Sequence, residues 1–281
     1  MSMLWCNGQW LEPRDFPAAP LDRGSILGLA LFETLLGLDG EVVFCQRHLA
    51  RLAVACARFG WVAPQHQYAQ LPEAMARLLQ LAGHAVGRAR IRLTVTAGSG
   101  PLADVASGAD RLVWMAAGPL AAVPATLALA VAPWPRNEHS AVAGLKCAAY
   151  AENLIALDQA RRAGFDDTLF LNTRGDLCET ATANVFLVSD GVVRTPPLAS
   201  GCLAGITRGL LLELAARDGI ACEEVALRPA DLDSADEVLV TSATRGPVVV
   251  ARVGSRLLAQ PQMGLLLRGL WEAEVRRKIL V

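Results

Sequence analysis

Lysine is almost missing from this chain. It stands at two positions, Lys146 and Lys278, and arginine supplies the rest of the 26 basic residues. Cysteine never falls in a Cys-x-x-Cys pair. The seven thiols (Cys6, Cys45, Cys56, Cys147, Cys178, Cys202, Cys222) are scattered and odd in number, which argues against a zinc site or a disulfide framework and suits a reducing cytoplasm. Net charge is also lacking: a formal −1 gives no field for nucleic acid or an anionic membrane, and no basic cluster interleaves with aromatics. No uncharged apolar run reaches the ~18 residues of a membrane span, and no basic n-region leads into an apolar h-region, so neither a span nor a signal peptide is expected. Internal repeats and low-complexity tracts are absent from the sequence.

What is present is apolar. Of 281 residues, 53% are hydrophobic and 19% charged, the composition of a compact protein with one large domain or two modest ones. Met3 to Trp10 reads as a strand with a turn at Asn7-Gly8, and prolines then carry a loop to Asp22-Arg23-Gly24. Asp39-Gly40 between apolar runs signals a hairpin. Helical spacing covers Arg47 to Phe59 and Leu71 to Leu81, and Arg90–Thr96 and Arg111–Ala116 read as paired strands. This α+β unit spans 1–118, a linker 119–124, and a second unit 125–281. The second holds helices over Asn153–Arg162, Thr207–Arg217 and Met263–Ile279, and strands over Thr126–Pro133, Leu169–Asn172, Cys178–Val188, Glu237–Thr241 and Val248–Val253.

The scarcity of lysine makes its placement informative. Lys278 sits in the charged tail Arg276-Arg277-Lys278, whereas Lys146 lies between Gly144-Leu145 and Cys147-Ala148-Ala149. Arginine stays protonated, but a desolvated lysine can lose its proton and attack a carbonyl. Further on come Glu179-Thr180-Ala181-Thr182-Ala183-Asn184 and then Gly205-Ile206-Thr207-Arg208. A loop-to-helix start such as Gly205–Thr207 favours a phosphate through its backbone N–H groups and dipole.

This order resembles aminotransferase class IV, the fold-type IV enzymes that use pyridoxal 5′-phosphate (PLP), over about Asp22 to Val250. The resemblance implies a small N-terminal α/β sandwich, a larger barrel-like β domain with helices, and a homodimer. It implies that Lys146 binds the cofactor aldehyde and that Glu179 partners the pyridine nitrogen. Arg51, in His48-Leu49-Ala50-Arg51, matches a phosphate arginine, and Gly205, Ile206 and Thr207 match half of a phosphate cup. Ser242, Ala243 and Thr244 match the other half, with Ala243 where threonine is common. Leu203 is expected on the cofactor ring and Tyr150 on its phenolic oxygen. The partner is then a small amino-group-bearing carboxylate, with no nucleic acid, membrane or metal involved.

Substrate recognition is expected in the first unit. Phe32-Glu33-Thr34-Leu35 resembles the opening common among 4-amino-4-deoxychorismate lyases, with Thr34 a substrate candidate. Thr96-Ala97-Gly98-Ser99-Gly100 resembles their arginine-glycine-serine-glycine loop, but Ala97 replaces the arginine. Arg23, Arg92 and Arg245 remain as carboxylate partners. These residues favour the lyase, which releases pyruvate and 4-aminobenzoate. A class IV transaminase is the alternative, and a PLP-binding protein without catalysis is a third reading.

Overall fold

A computed structural model describes residues 3–17, 20–61, 65–108, 110–258 and 261–279. The chain forms two compact units. Unit 1 comprises Met1–Ala121, Leu145–Ala149 and Lys278–Val281, and unit 2 comprises Ala122–Gly144 and Tyr150–Arg277. The lysine-bearing segment thus belongs with unit 1, although unit 2 flanks it in sequence.

Unit 1 contains β1 (Leu4–Cys6), β2 (Gln9–Leu11), α1 (Arg23–Leu27), β3 (Ala30–Leu38), β4 (Glu41–Val42), α2 (Cys45–Arg58), α3 (Gln65–Leu81), β5 (Arg88–Thr96) and β6 (Val113–Pro119). The strands form one antiparallel sheet in the order β2-β1-β6-β5-β3-β4. Asp39 and Gly40 turn the β3–β4 hairpin at φ 51° and 84°, the doubly left-handed geometry that Asp-Gly tolerates. Strand alternation sends Leu31, Leu35, Ile91, Leu93 and Met115 to one face, where they pack on Leu49, Leu52, Leu71, Met75 and Leu78 of α2 and α3. Each such buried side chain contributes roughly 2 kcal/mol. Helix α3 begins at Gln65, ahead of the apolar periodicity that starts at Leu71.

The opposite face of the sheet carries Ala30, Phe32, Thr34, Arg92, Thr94, Thr96 and Trp114. Leu145–Ala149 runs alongside it: Phe32 N–H donates to the Lys146 carbonyl (2.9 Å), and Ala148 N–H donates to that of Ala30 (2.8 Å). The bridge opposes Leu31 to Cys147, and Leu145 and Cys147 pack with the core. Lys146 and Ala148 therefore point to the other face, beside Phe32 and Ala30.

Unit 2 contains β7 (Thr126–Val131), α4 (Ala151–Arg162), β8 (Asp167–Leu171), β9 (Leu177–Thr180), β10 (Asn184–Ser189), β11 (Val192–Thr195), α5 (Ile206–Arg217), β12 (Cys222–Glu224), α6 (Pro229–Ser234), β13 (Glu237–Ser242), β14 (Gly246–Val253), β15 (Arg256–Leu257) and α7 (Met263–Ile279). Its nine-stranded sheet runs β12-β11-β10-β13-β14-β7-β8-β9, with β15 on β14. The strand expected over Cys178–Val188 is broken in two. Thr180 and Ala183 exchange backbone and hydroxyl bonds across Ala181-Thr182, closing a tight turn between β9 and β10. Val185, Leu187, Val238, Val240, Val248 and Val250 face one core of this sheet. The other face of β13 includes Glu237, whose carboxylate accepts from the backbone N–H groups of Gln262, Met263 and Gly264 and so caps α7. Among the described residues no helix is long and apolar enough to cross a membrane, and no His/Cys/Asp/Glu group could hold a metal ion.

Candidate active site

In unit 1, two cations share one aromatic ring. Lys146 Nζ lies 4.4 Å from the Phe32 centroid, and Arg92 Cζ lies 3.4 Å from it. Amine and guanidinium are therefore no further apart than the sum of those distances. The ring's negative face attracts both cations, and Arg92 Nε also donates to the Thr94 hydroxyl (3.4 Å). Arg92 and Ala148 help line a cavity of about 350 Å³, together with Phe16, Asp22, Thr96 and Trp114. Phe16 and Trp114 meet edge to face at 5.3 Å. The acid in this wall is engaged: Asp22 accepts from Gly24 N–H (2.7 Å) and the Thr96 hydroxyl (2.6 Å). Thr34 lies half-buried on the same face of β3.

Behind the sheet, Glu33 projects toward α2 and meets Arg51 and His48. Arg51 donates to both carboxylate oxygens (2.8 and 2.5 Å), and His48 Nδ1 lies 2.7 Å from Oε2. Burial would raise the carboxyl, but His48 and Arg51 hold it at about 2. Burial pushes His48 down despite Glu33, so a neutral imidazole donating from Nδ1 fits the geometry. Arg51 thus has one edge fixed by a bidentate pair.

Arg23 is placed differently from the expectation that it contacts substrate. It is 0% exposed, and its guanidinium donates to the carbonyls of Ala97, Gly98, Pro101, Asp104 and Ser107. Five N–H groups meet five carbonyls, so Arg23 is a clamp for the loop after β5. This corrects its assignment as a carboxylate partner. Ala97 lies in that clamped loop.

In unit 2, Tyr150 precedes α4, and its hydroxyl donates to the Ala181 carbonyl (2.7 Å), which also accepts from Asn153 Nδ2 (2.8 Å). Burial, followed by the charge of Glu179, pushes the Tyr150 hydroxyl up to about 12, so it stays protonated at neutral pH. Glu179, near the end of β9, accepts from Leu203 N–H (3.0 Å) and Asn184 Nδ2 (3.4 Å). Asn184 Nδ2 also donates to the Leu203 carbonyl (2.8 Å). Asn184 thereby ties the acid to the strand leading into α5. It escaped the sequence reading, and its only signal is a carboxamide at the mouth of an apolar strand.

Helix α5 starts at Ile206 with Gly205 in extended conformation as its N-cap and no side-chain cap. A Cβ at Gly205 would collide with Asn184 Oδ1, so only glycine lets the chain approach so closely. The turn between β13 and β14 holds Ser242, Ala243 and Thr244. The Ser242 hydroxyl accepts from Arg245 Nε (3.2 Å), and Arg245 Nη2 donates to Thr182 (2.8 Å) and lies 3.8 Å from Asp167. Arg245 is thus drawn to Asp167, and Ser242 follows it.

A family model described as amino-transferase class IV matches residues 30–253. The chain belongs to that family. A branched-chain-amino-acid aminotransferase of Escherichia coli K12 is 30% identical over 260 residues, 87% of this chain and 83% of the relative. An aminodeoxychorismate lyase of Bacillus subtilis is 26% identical over 246 residues, 86% and 83% of the two chains. The solved branched-chain aminotransferase of Thermoproteus uzoniensis superposes with a TM-score of 0.90 at 24% identity, covering 98% of this chain and 95% of that one. The protein is therefore a PLP-dependent enzyme with the fold-type IV architecture of class IV aminotransferases. Its residues fit the cofactor: α5 begins at Gly205 with no side-chain cap, so the first amides of the helix face an anion without a competing acceptor.

Proposed function

We propose that the protein is a transaminase whose amino donor carries a carboxylate. The observation that carries this reading is the joint placement of Lys146 and Arg92 over Phe32, beside the cavity of about 350 Å³. One group there is a primary amine that would attach an aldehyde cofactor, and the other would grip a carboxylate nearby. When bound, PLP supplies an aldehyde that captures a primary amine and a ring that draws electrons from the α-carbon. Lys146 attaches the cofactor and, once displaced, moves the proton at the α-carbon. Glu179, oriented by Leu203 N–H and Asn184, holds a proton on the ring nitrogen. Gly205, Ile206 and Thr207 would hold the phosphate, for which Arg51 is a further candidate, and Leu203 would pack on the ring. Tyr150, whose hydroxyl donates to the Ala181 carbonyl here, would donate to the phenolic oxygen on exchanging that bond.

Arg92 orients the donor's carboxylate, and Phe16 and Trp114 offer an apolar wall for its side chain. The protein acts as a homodimer. Leu21, Ile26 and Leu27 remain 72%, 47% and 52% exposed in one chain, which supports a covering partner. The lyase is the second reading, favoured by Phe32-Glu33-Thr34-Leu35 and by the likeness to the Bacillus subtilis lyase. Rates of amino transfer from a panel of amino acids to 2-oxoglutarate, measured beside pyruvate release from aminodeoxychorismate, separate the two. Transfer is expected to dominate, and faster pyruvate release would establish the lyase.

A further inference from the structure

Thr241 is 2% exposed, and its hydroxyl has no hydrogen-bond partner. A buried hydroxyl left alone loses its bonds to water and gains none, so natural proteins seldom keep one without a use. Its position suggests that use. Thr241 pairs directly with Asn184 across β13 and β10, so their side chains share a face of the sheet. On that face Asn184 Nδ2 reaches the Leu203 carbonyl, and Asn184 Oδ1 fills the place a Cβ at Gly205 would need. The start of α5, which packs on β13, therefore lies over this pair. Alternation along β13 points Ser242 away from Thr241, and Arg245 holds it there. The turn that follows has no hydroxyl at Ala243, and an unused one stands at Thr241, on the face that α5 covers.

We propose that the Thr241 hydroxyl is a ligand of the cofactor's phosphate. It supplies from β13 the donor that Ala243 cannot supply from the turn. A phosphate between the α5 amides and Thr241 satisfies the orphaned group with a charge-assisted bond. The assignment rests on reading the start of α5 as the phosphate site.

Thr241→Val tests it, because valine keeps the shape and removes only the hydroxyl. Equilibrium binding of PLP and of pyridoxal, which lacks the phosphate, is measured on the full-length apoprotein, with the melting temperature recorded alongside. The preference for PLP over pyridoxal is expected to fall about tenfold or more, as for loss of a hydrogen bond to a charged group. Thr241→Ser is expected to recover most of it. The apoprotein's melting temperature should not fall, since valine removes an unsatisfied polar atom. The phosphorus NMR resonance of the holoenzyme should also shift in the valine variant. An unchanged preference, or equal weakening of both ligands with a lower melting temperature, would overturn the proposal and make Thr241 a structural residue. A wild-type protein holding pyridoxal as tightly as PLP would bring down the phosphate site itself, and this assignment with it.

Discussion

Arg23 and Arg92 both belong to unit 1, yet they do opposite work. Arg23 is sealed from solvent and donates to five backbone carbonyls of the loop after β5. Arg92 lies over Phe32 at the wall of a cavity, and Lys146 lies over the same ring. An arginine surrounded by carbonyl acceptors has its charge dispersed into fixed dipoles and cannot recruit an anion. Arg92 stacks over Phe32, and its Nε donates to the Thr94 hydroxyl (3.4 Å), the setting in which we propose it meets a carboxylate. The kind of acceptor around the guanidinium, more than its depth, separates a structural cation from a recognising one.

That contrast breaks or sharpens under substitution. Arg23→Met strands five carbonyls and should cost about 3–5 kcal/mol in urea unfolding. Arg92→Met should cost less than about 1.5 kcal/mol, because it leaves no comparable cluster of acceptors. The kinetic effects run the other way. Arg92→Lys should lower kcat/KM for the carboxylated donor by on the order of tenfold to a hundredfold, while the acid-over-amine preference survives in Arg23→Lys. Equal stability losses in the two Met variants would erase the distinction.

Arg51 offers an intermediate case, a cation neutralised by a buried acid and still expected at the phosphate. The Glu33 carboxyl falls from 4.5 to about 2 in the folded protein, so it ionises more readily there than in the unfolded chain. The stability this gives, roughly 3 kcal/mol, is present above about pH 4.5 and is lost as the pH falls toward 2. His48 acts in the same sense, since a buried neutral imidazole resists the proton that the unfolded chain accepts below about pH 6.5. The stability difference between wild type and Glu33→Gln should therefore shrink on acidification across that lower window. A difference independent of pH would mean that Glu33 matters by shape alone.

Much of this was legible in the sequence. The Asp39-Gly40 turn located the β3–β4 hairpin, and helical apolar spacing located α2, because burial on one face dictates that pattern. The loneliness of Lys146 marked it before any fold was known. What escaped depends on non-local partners. Nothing near Arg23 announces that carbonyls from Ala97 to Ser107 will surround it. Glu33 reads as one acid in an apolar strand until His48 and Arg51 arrive on α2. The break between β9 and β10 is made by the Thr180 hydroxyl, a local competitor with strand pairing that apolar spacing cannot register. Thr241 ends the strand expected over Glu237–Thr241, and only the pairing with Asn184 reveals which face it occupies.

The central claim is that Lys146 carries the cofactor. Borohydride reduction of the PLP-loaded protein, followed by proteolysis and mass spectrometry, tests it directly. A reduced pyridoxyl group is expected on the peptide containing Lys146, and it should be lost in Lys146→Ala. A pyridoxyl group on Lys278 with Lys146 unmodified would contradict it.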